Sequence, residues 1–411
     1  MSFSFELLHT DPSGARLGRL STPHGVIDTP CFMPVGTAAT VKGVTQDVLE
    51  SLGVQILLAN TYHLFLRPGY QLIRSLGGLH RFMSWPRSIL TDSGGYQVFS
   101  LGELVAIDED GVTVKSHLDG EPVRLGPREA TAIQEALGAD LVMAFDQCCR
   151  MPAERPAVEA AVERTARWAE VCLSSRTRDD QAMFGILQGG TDVDLRARSA
   201  AQITSLPFEG FAIGGLSVGE GTLAMRSTLE ATTPLLPVQR PRYLMGVGLP
   251  LDLVHAVAAG VDLFDCVVAT RNGRRGHLFT RDGVVRIGRK EHEREEGPLD
   301  PDCRCEVCRT HSRAYLRHLF AVGEHSAAVL GSLHNTAFLV GWVRDLRAAV
   351  IDGTFPTRAA AMEARYRAGE ARWQEAHDAD PEGRLGSRRA HAEREARRRT
   401  IDGDGRGDLS A

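Results

Sequence analysis

Six residues of this 411-residue chain have types and spacings that could do chemistry: Cys303, Cys305 and Cys308, and the aspartates Asp92, Asp146 and Asp265. Three cysteines packed so closely, in a chain with eight, predict a zinc site. Thiolates with one imidazole suit tetrahedral zinc, and a full set of four ligands leaves no position for substrate. Such a site staples a loop and does no chemistry. The fourth ligand is open on spacing alone: His334 is distant, while His292, His311, His318 and His325 are nearer, and His311 would close a tight Cys-x2-His hook. Asp92 lies in Thr91-Asp-Ser-Gly-Gly-Tyr96 and Asp265 in Phe264-Asp-Cys-Val267, each ending an apolar run. Two carboxylates facing one cavity suit glycosidic chemistry, one attacking the anomeric carbon while the other handles protons. An aspartate before a glycine-rich turn also serves as a helix cap, so Asp92 has a second reading. Asp146 adds a carboxylate whose two oxygens complement the adjacent ring N–H and amino group of a guanine-like edge. Gln188 and the Gly214-Gly-Leu216 turn offer an amide and close backbone to the same base.

Elements must carry these groups to one place. Eight apolar runs recur along the chain: Phe32–Val35, Ile56–Asn60, Ile89–Asp92, Leu141–Asp146, Phe184–Gln188, Gly210–Gly215, Arg242–Val247 and Leu263–Val267. Continuous apolar runs mark strands buried on both faces of a parallel sheet. Helical patterns separate them, among them Pro156–Ser175, Asp192–Ser205, Thr222–Thr232 and Pro250–Gly260. Alternation predicts an α/β fold, and eight strands favour a closed (β/α)8 TIM barrel over an open sheet. The polar residues at the strand ends then fall on the rim where barrel enzymes place their sites.

Bulk composition is that of an ordinary globular protein, 43% hydrophobic and 24% charged. The net charge of -5 excludes reading nucleic-acid binding from overall charge. A local patch supplies it instead: Thr270-Arg-Asn-Gly-Arg-Arg-Gly-His277, followed by Arg281, Arg286, Arg289 and Lys290, adjoins Asp265 and suits phosphate and base contacts. No basic-then-apolar leader opens the chain and no apolar run is long enough to span a membrane. The remaining cysteines are scattered, as in a cytoplasmic protein with reduced thiols. The expected organisation is a catalytic barrel over 1–375, with a zinc-binding insertion at about 281–340. A charged tail over 376–411 is expected to be disordered, since Arg384–Arg399 holds seven arginines against two glutamates.

Several stretches together carry a family resemblance. They are Thr29-Pro-Cys-Phe-Met-Pro-Val-Gly-Thr37, Asn60-Thr-Tyr-His-Leu64, Leu66-Arg-Pro-Gly69 and Thr91-Asp-Ser-Gly-Gly-Tyr-Gln-Val-Phe-Ser100. To these are added Phe184-Gly-Ile-Leu-Gln-Gly189, Gly214-Gly-Leu-Ser-Val-Gly-Glu220, Tyr243-Leu-Met-Gly-Val-Gly248, Phe264-Asp-Cys266 and Cys303-x-Cys-x2-Cys308. From about residue 3 to 370 the chain resembles the bacterial tRNA-guanine transglycosylases, or queuine tRNA-ribosyltransferases. The resemblance implies a homodimeric (β/α)8 barrel with a zinc subdomain. The activity it implies is exchange of guanine at the tRNA wobble position for a 7-deazaguanine, in queuosine biosynthesis. It makes Asp265 the nucleophile and Asp92 the general acid/base. Asp146, Gln188, Gly215 and Leu216 bind the base, which stacks between Tyr96 and Met245, while Arg271 and Arg274 contact anticodon bases. The zinc ligands become Cys303, Cys305, Cys308 and His334. Cys148 and Val218 match the bacterial pattern, which takes the 7-aminomethyl base.

Two positions depart from that pattern. Ala269 stands where a proline is usual after the nucleophile, and Gln147 replaces a glutamate between Asp146 and Cys148. A zinc hydrolase would need an open metal position, and a non-catalytic tRNA-binding paralogue would have an eroded nucleophile motif. A Cys3His set leaves no such position, and both Asp92 and Asp265 stand here.

Overall fold

The computed structural model describes residues 3–101 and 103–379. Its central sheet is parallel and closes on itself. Going round, the strands are Cys31–Met33, Leu263–Asp265, Arg242–Leu244, Gly210–Ile213, Ala182–Leu187, Leu141–Met143, Ser88–Thr91, Ile56–Ala59 and Val35–Gly36. The first and last of these are two halves of one strand, interrupted at Pro34, which has no N–H to give to a ladder. Cys31 pairs with Leu263 on one side and Val35 with Leu58 on the other, so the eight strands form a barrel. All eight apolar runs are therefore strands of the predicted (β/α)8 fold.

Period-two alternation sorts each strand. Leu58, Leu90, Met143, Ile186, Ala212, Tyr243 and Leu263 fill the barrel interior. Leu57, Ile89, Val142, Leu187, Ile213, Leu244 and Phe264 pack outward against the helices. Both faces are buried, which is why the runs read as unbroken apolar sequence. The anticipated helices are present as Arg155–Ser175, Val193–Thr204, Thr222–Thr232 and Pro250–Ala258. At Val193 the cap is visible: Asp192 accepts hydrogen bonds from Asp194 N–H and Leu195 N–H.

Two antiparallel sheets escaped the sequence reading. Ser4–Thr10, Arg16–Thr22 and Gly25–Thr29 form a sheet across the N-terminal end of the barrel, where Leu20 and Ile27 join the interior core. Glu103–Ile107, Val112–Lys115 and Pro122–Leu125 form the other, with Val112, Val114 and Leu125 buried in the outer core.

After the eighth strand come a short helix, Val268–Gly273, and a hairpin, His277–Thr280 with Gly283–Arg286. Helices Glu306–Thr310 and Arg313–Val322 follow, then the long helices His325–Ile351 and Phe355–Ala379. The bounds expected for the insertion, 281 and 340, fall in the hairpin turn and inside the helix His325–Ile351. That helix packs on both Val268–Gly273 and the first barrel strand. The expected tail begins inside the last helix, and from 380 onward it lies outside the described residues. Among the described residues no helix is long and apolar enough to cross a membrane.

Candidate active site and metal cluster

One inward step beyond the interior core, the C-terminal ends of the strands line a cavity of about 300 Å³. Asn60 follows inward-facing Leu58 by two residues. Asp92 stands likewise to Leu90, Gln188 to Ile186, Gly214 to Ala212, Met245 to Tyr243 and Asp265 to Leu263. Strand alternation alone sends these six into one space. Asp146, Gly215, Leu216, Tyr96 and Arg271 also line it. Arg274 does not; it lies half-buried after the helix Val268–Gly273.

Asp265 is partly buried and accepts hydrogen bonds on Oδ1 from Tyr243 Oη at 2.6 Å and Gly246 N–H at 2.8 Å. Burial raises its carboxyl above the ordinary value, while these two bonds pull the other way. Among the described residues its second oxygen accepts no hydrogen bond. A carboxylate fixed by one oxygen and free at the other is built to attack.

Asp92 is held on all sides. Asn60 Nδ2 donates to Oδ2 at 2.5 Å, Gln97 Nε2 to the same oxygen at 2.8 Å, and Thr61 N–H to Oδ1 at 2.8 Å. Burial pushes its pKa up to about 6, the bonds from Asn60, Thr61 and Gln97 resist, and the charge of Asp265 adds to the rise. A group poised near 6 can both give and take a proton near neutrality. The alternative that Asp92 caps the helix after its own turn, Gly95–Leu101, is not what is found: its Oδ1 takes the first N–H of a different helix, Thr61–Leu66, and Gly95 N–H goes to Ser93 Oγ.

Asp146 accepts from Ser93 Oγ at 2.9 Å and Gln188 Nε2 at 2.7 Å. Burial pushes its pKa up to about 6 despite them. Two glycines make this corner possible. A Cβ on Gly95 would sit 2.6 Å from the Asp146 carbonyl oxygen, and one on Gly215, where φ is +65°, would strike the Gln188 carboxamide. Beneath the turn, buried Arg196 donates to the carbonyls of Gly190, Leu187 and Gly215 at 2.8, 3.2 and 3.4 Å. Tyr96, 51% exposed, and half-buried Met245 flank the cavity.

Gln147 turns away from the cavity: its Oε1 accepts from Arg164 Nη1 at 2.6 Å, and Arg164 also pairs with Glu109 at 3.3 Å. Ala269 is buried, and its carbonyl accepts from Asn335 Nδ2 at 3.1 Å. Sequence reasoning missed Tyr243, Ser93, Gln97 and Arg196 as functional groups, and it quoted Asn60 only within a motif. Asn60 was within reach of the two-residue rule applied to Ile56–Asn60. Tyr243 was too, as an inward aromatic one layer below the nucleophile. The others were not.

Cys303, Cys305, Cys308 and His334 bring their ligand atoms within 4.8 Å of one another and could hold a metal ion. His334 Nδ1 faces Cys308 Sγ at 3.3 Å and Cys305 Sγ at 3.5 Å. Its Nε2 lies 2.7 Å from the Phe279 carbonyl, the arrangement that sets a ligand histidine's tautomer. Among the described residues His292, His311, His318 and His325 stand outside the cluster. The ring of His311 lies 5.0 Å from that of Tyr315.

Fold and cavity together define a (β/α)8-barrel enzyme with an acidic mouth. Residues 11–368 match the family described as queuine tRNA-ribosyltransferase. A queuine tRNA-ribosyltransferase of Moorella thermoacetica is 53% identical over 368 residues, covering 89% of this chain and 99% of the relative. One of Herpetosiphon aurantiacus is 53% identical over 354 residues, covering 86% and 90%. One of Symbiobacterium thermophilum is 51% identical over 377 residues, covering 91% and 94%. The chain belongs to the queuine tRNA-ribosyltransferase family of enzymes.

Proposed function

We propose that this chain exchanges guanine at the tRNA wobble position for 7-aminomethyl-7-deazaguanine through a covalent aspartyl ester. The observation that carries the reading is Asp265 and Asp92 lining one cavity in a chain of this family. The free oxygen of Asp265 attacks the anomeric carbon as the bond to guanine breaks, and protonated Asp92 supplies a proton to the departing base. Guanine leaves the cavity and the deazaguanine takes its place. Asp92, now ionised, removes the ring proton of the incoming base; the base nitrogen then attacks the same carbon and releases Asp265. Two inversions give net retention. Asp146, with Gln188 and the Gly215–Leu216 backbone, holds the base edge, and Tyr96 and Met245 close on its faces. Arg271 and Arg274 contact the anticodon loop, where unstacking the target costs little. Cys148 and Val218, which line the cavity, match the bacterial pattern that takes the aminomethyl base.

The Cys303, Cys305, Cys308 and His334 set fits zinc in type and number, and zinc there would act as a structural staple with no part in the reaction. The working form is a cytoplasmic homodimer. The test is incubation with unmodified tRNA and radiolabelled guanine, followed by mapping. Label confined to the wobble nucleotide is expected; absence of incorporation, or label elsewhere, overturns the reading.

A further inference from the structure

Beneath the base-binding corner of the cavity lies Arg196, wholly buried on the helix Val193–Thr204. Two neighbouring strand ends meet there. Ala182–Leu187 and Gly210–Ile213 pair as far as Leu187 opposite Ile213, and Gly214 N–H adds one bond to the Leu187 carbonyl at 3.0 Å. The ladder then stops, because Gly189 at φ +133° and Gly215 at φ +65° turn the two chains away. Arg196 continues the tie across the gap. Its Nε, Nη1 and Nη2 each donate to a different carbonyl, those of Gly190, Leu187 and Gly215. Ser199, one helical turn on, accepts the Gln188 N–H at 3.0 Å. Among the described residues Arg196 donates to carbonyls alone, and no carboxylate pairs with it. Burial pushes its pKa down to about 10, partly offset by Cys148 and Glu220, so it stays charged near neutrality.

We propose that Arg196 is a positioning residue for base selection, setting Gln188 and the Gly214–Leu216 turn at the separation that a guanine-like edge requires. The inference rests on the base-exchange reading above and deepens it. An unpaired charge held away from water costs stability, so a tie that served the fold alone would be better made by neutral groups. What a guanidinium adds is geometry: its planar fork aims three nitrogens in fixed directions, which a lysine ammonium cannot do. Fixing the Gly215 carbonyl beneath the turn also fixes the Leu216 N–H, since the two point opposite ways across one trans peptide. Gly215 and Leu216 both line the cavity. The Gln188 carboxamide packs where a Cβ on Gly215 would stand, so a shift of the turn displaces it and its 2.7 Å bond to Asp146. Movement of one guanidinium thus reaches every group assigned to the base edge. Arg196 takes no part in the hydrogen bonds of Asp92 or Asp265, so the groups that do the chemistry are left in place.

The test is steady-state exchange by Arg196→Met, which removes the fork, and by Arg196→Lys, which keeps only the charge. In both, KM for guanine and for 7-aminomethyl-7-deazaguanine should rise about ten- to a hundredfold, with kcat within about threefold of wild type. KM for tRNA, set largely by phosphate contacts, should stay within about threefold. A residue that only supports the fold would lower Tm and the active fraction and leave the base KM alone. A base KM within about twofold of wild type in a folded variant therefore overturns the proposal, as does loss of the fold in both variants. No exchange by wild type would instead sink the base-exchange reading, and this inference with it.

Discussion

At the barrel mouth, Asp92 and Asp146 sit buried with their pKa values pushed up to about 6, and among the described residues only one oxygen of Asp265 accepts hydrogen bonds. At the Cys3His cluster, three sulfurs face one ring nitrogen and the other ring nitrogen is tied to a backbone carbonyl. The first region leaves an oxygen of Asp265 open, and the second closes on itself. A site that must receive a substrate has to leave hydrogen-bonding capacity for it, whereas a staple is strongest when nothing is left over.

Removing the attacking group gives the widest expected separation between the two regions. Asp265→Asn should abolish the denaturation-resistant tRNA adduct and lower exchange by at least about a thousandfold, while metal content and melting stay near wild type. An adduct persisting on a denaturing gel would falsify the nucleophile assignment. The mirror experiment is Cys305→Ser. It should lose the metal by elemental analysis and at least about 3 kcal/mol of stability, since structural zinc is worth on the order of 10. Full metal content in that variant breaks the comparison from the other side.

Smaller changes sharpen the mouth. Tyr243→Phe keeps the ring and removes one hydrogen bond to a carboxylate, worth about 1.5–3 kcal/mol. Exchange should fall about ten- to a hundredfold, and because that bond favours the ionised form, the acid limb of the pH–rate profile should move upward. A variant with an unmoved limb would reduce Tyr243 to packing.

The pH dependence of base binding tests Asp146. Its ionised form accepts the two donors of the base edge, so affinity should drop about tenfold between pH 7 and 5 as the carboxylate protonates near 6. The stability consequence has the opposite sign. With folded pKa values above the unfolded value of 3.8, Asp92 and Asp146 contribute most to stability below about pH 4. That contribution is lost as pH rises through about 6. Asp146→Asn should therefore flatten the fall of Tm between those limits. The least effect belongs to Gln147→Glu, which adds a charge opposite Arg164 outside the cavity and should change exchange by less than about twofold.

Much of the mouth was legible because strand period is local. Once Leu58, Leu90, Ile186 and Leu263 are placed inward, the polar residues two positions on must face the same way. The partners were harder to see. Thr61 N–H and Asn60 reach Asp92 from a neighbouring strand, and Ser93 reaches Asp146 across a sequence separation of 53. No periodicity encodes such pairs. The N-terminal sheet went unseen because its strands alternate polar and apolar residues over short stretches, a weaker signal than a doubly buried run.

Residue order alone determined the eight strands and the family, since both depend on patterns within short windows or on whole motifs. Closure of the sheet decided the rest. It set Asp92 and Asp265 around one cavity and gave the Asp92 carboxylate to a helix other than the one its own turn begins, while packing of the helix His325–Ile351 brought His334 rather than His311 to the cysteines. Each of these joins residues remote in the chain, and only packing of the complete core brings such residues together.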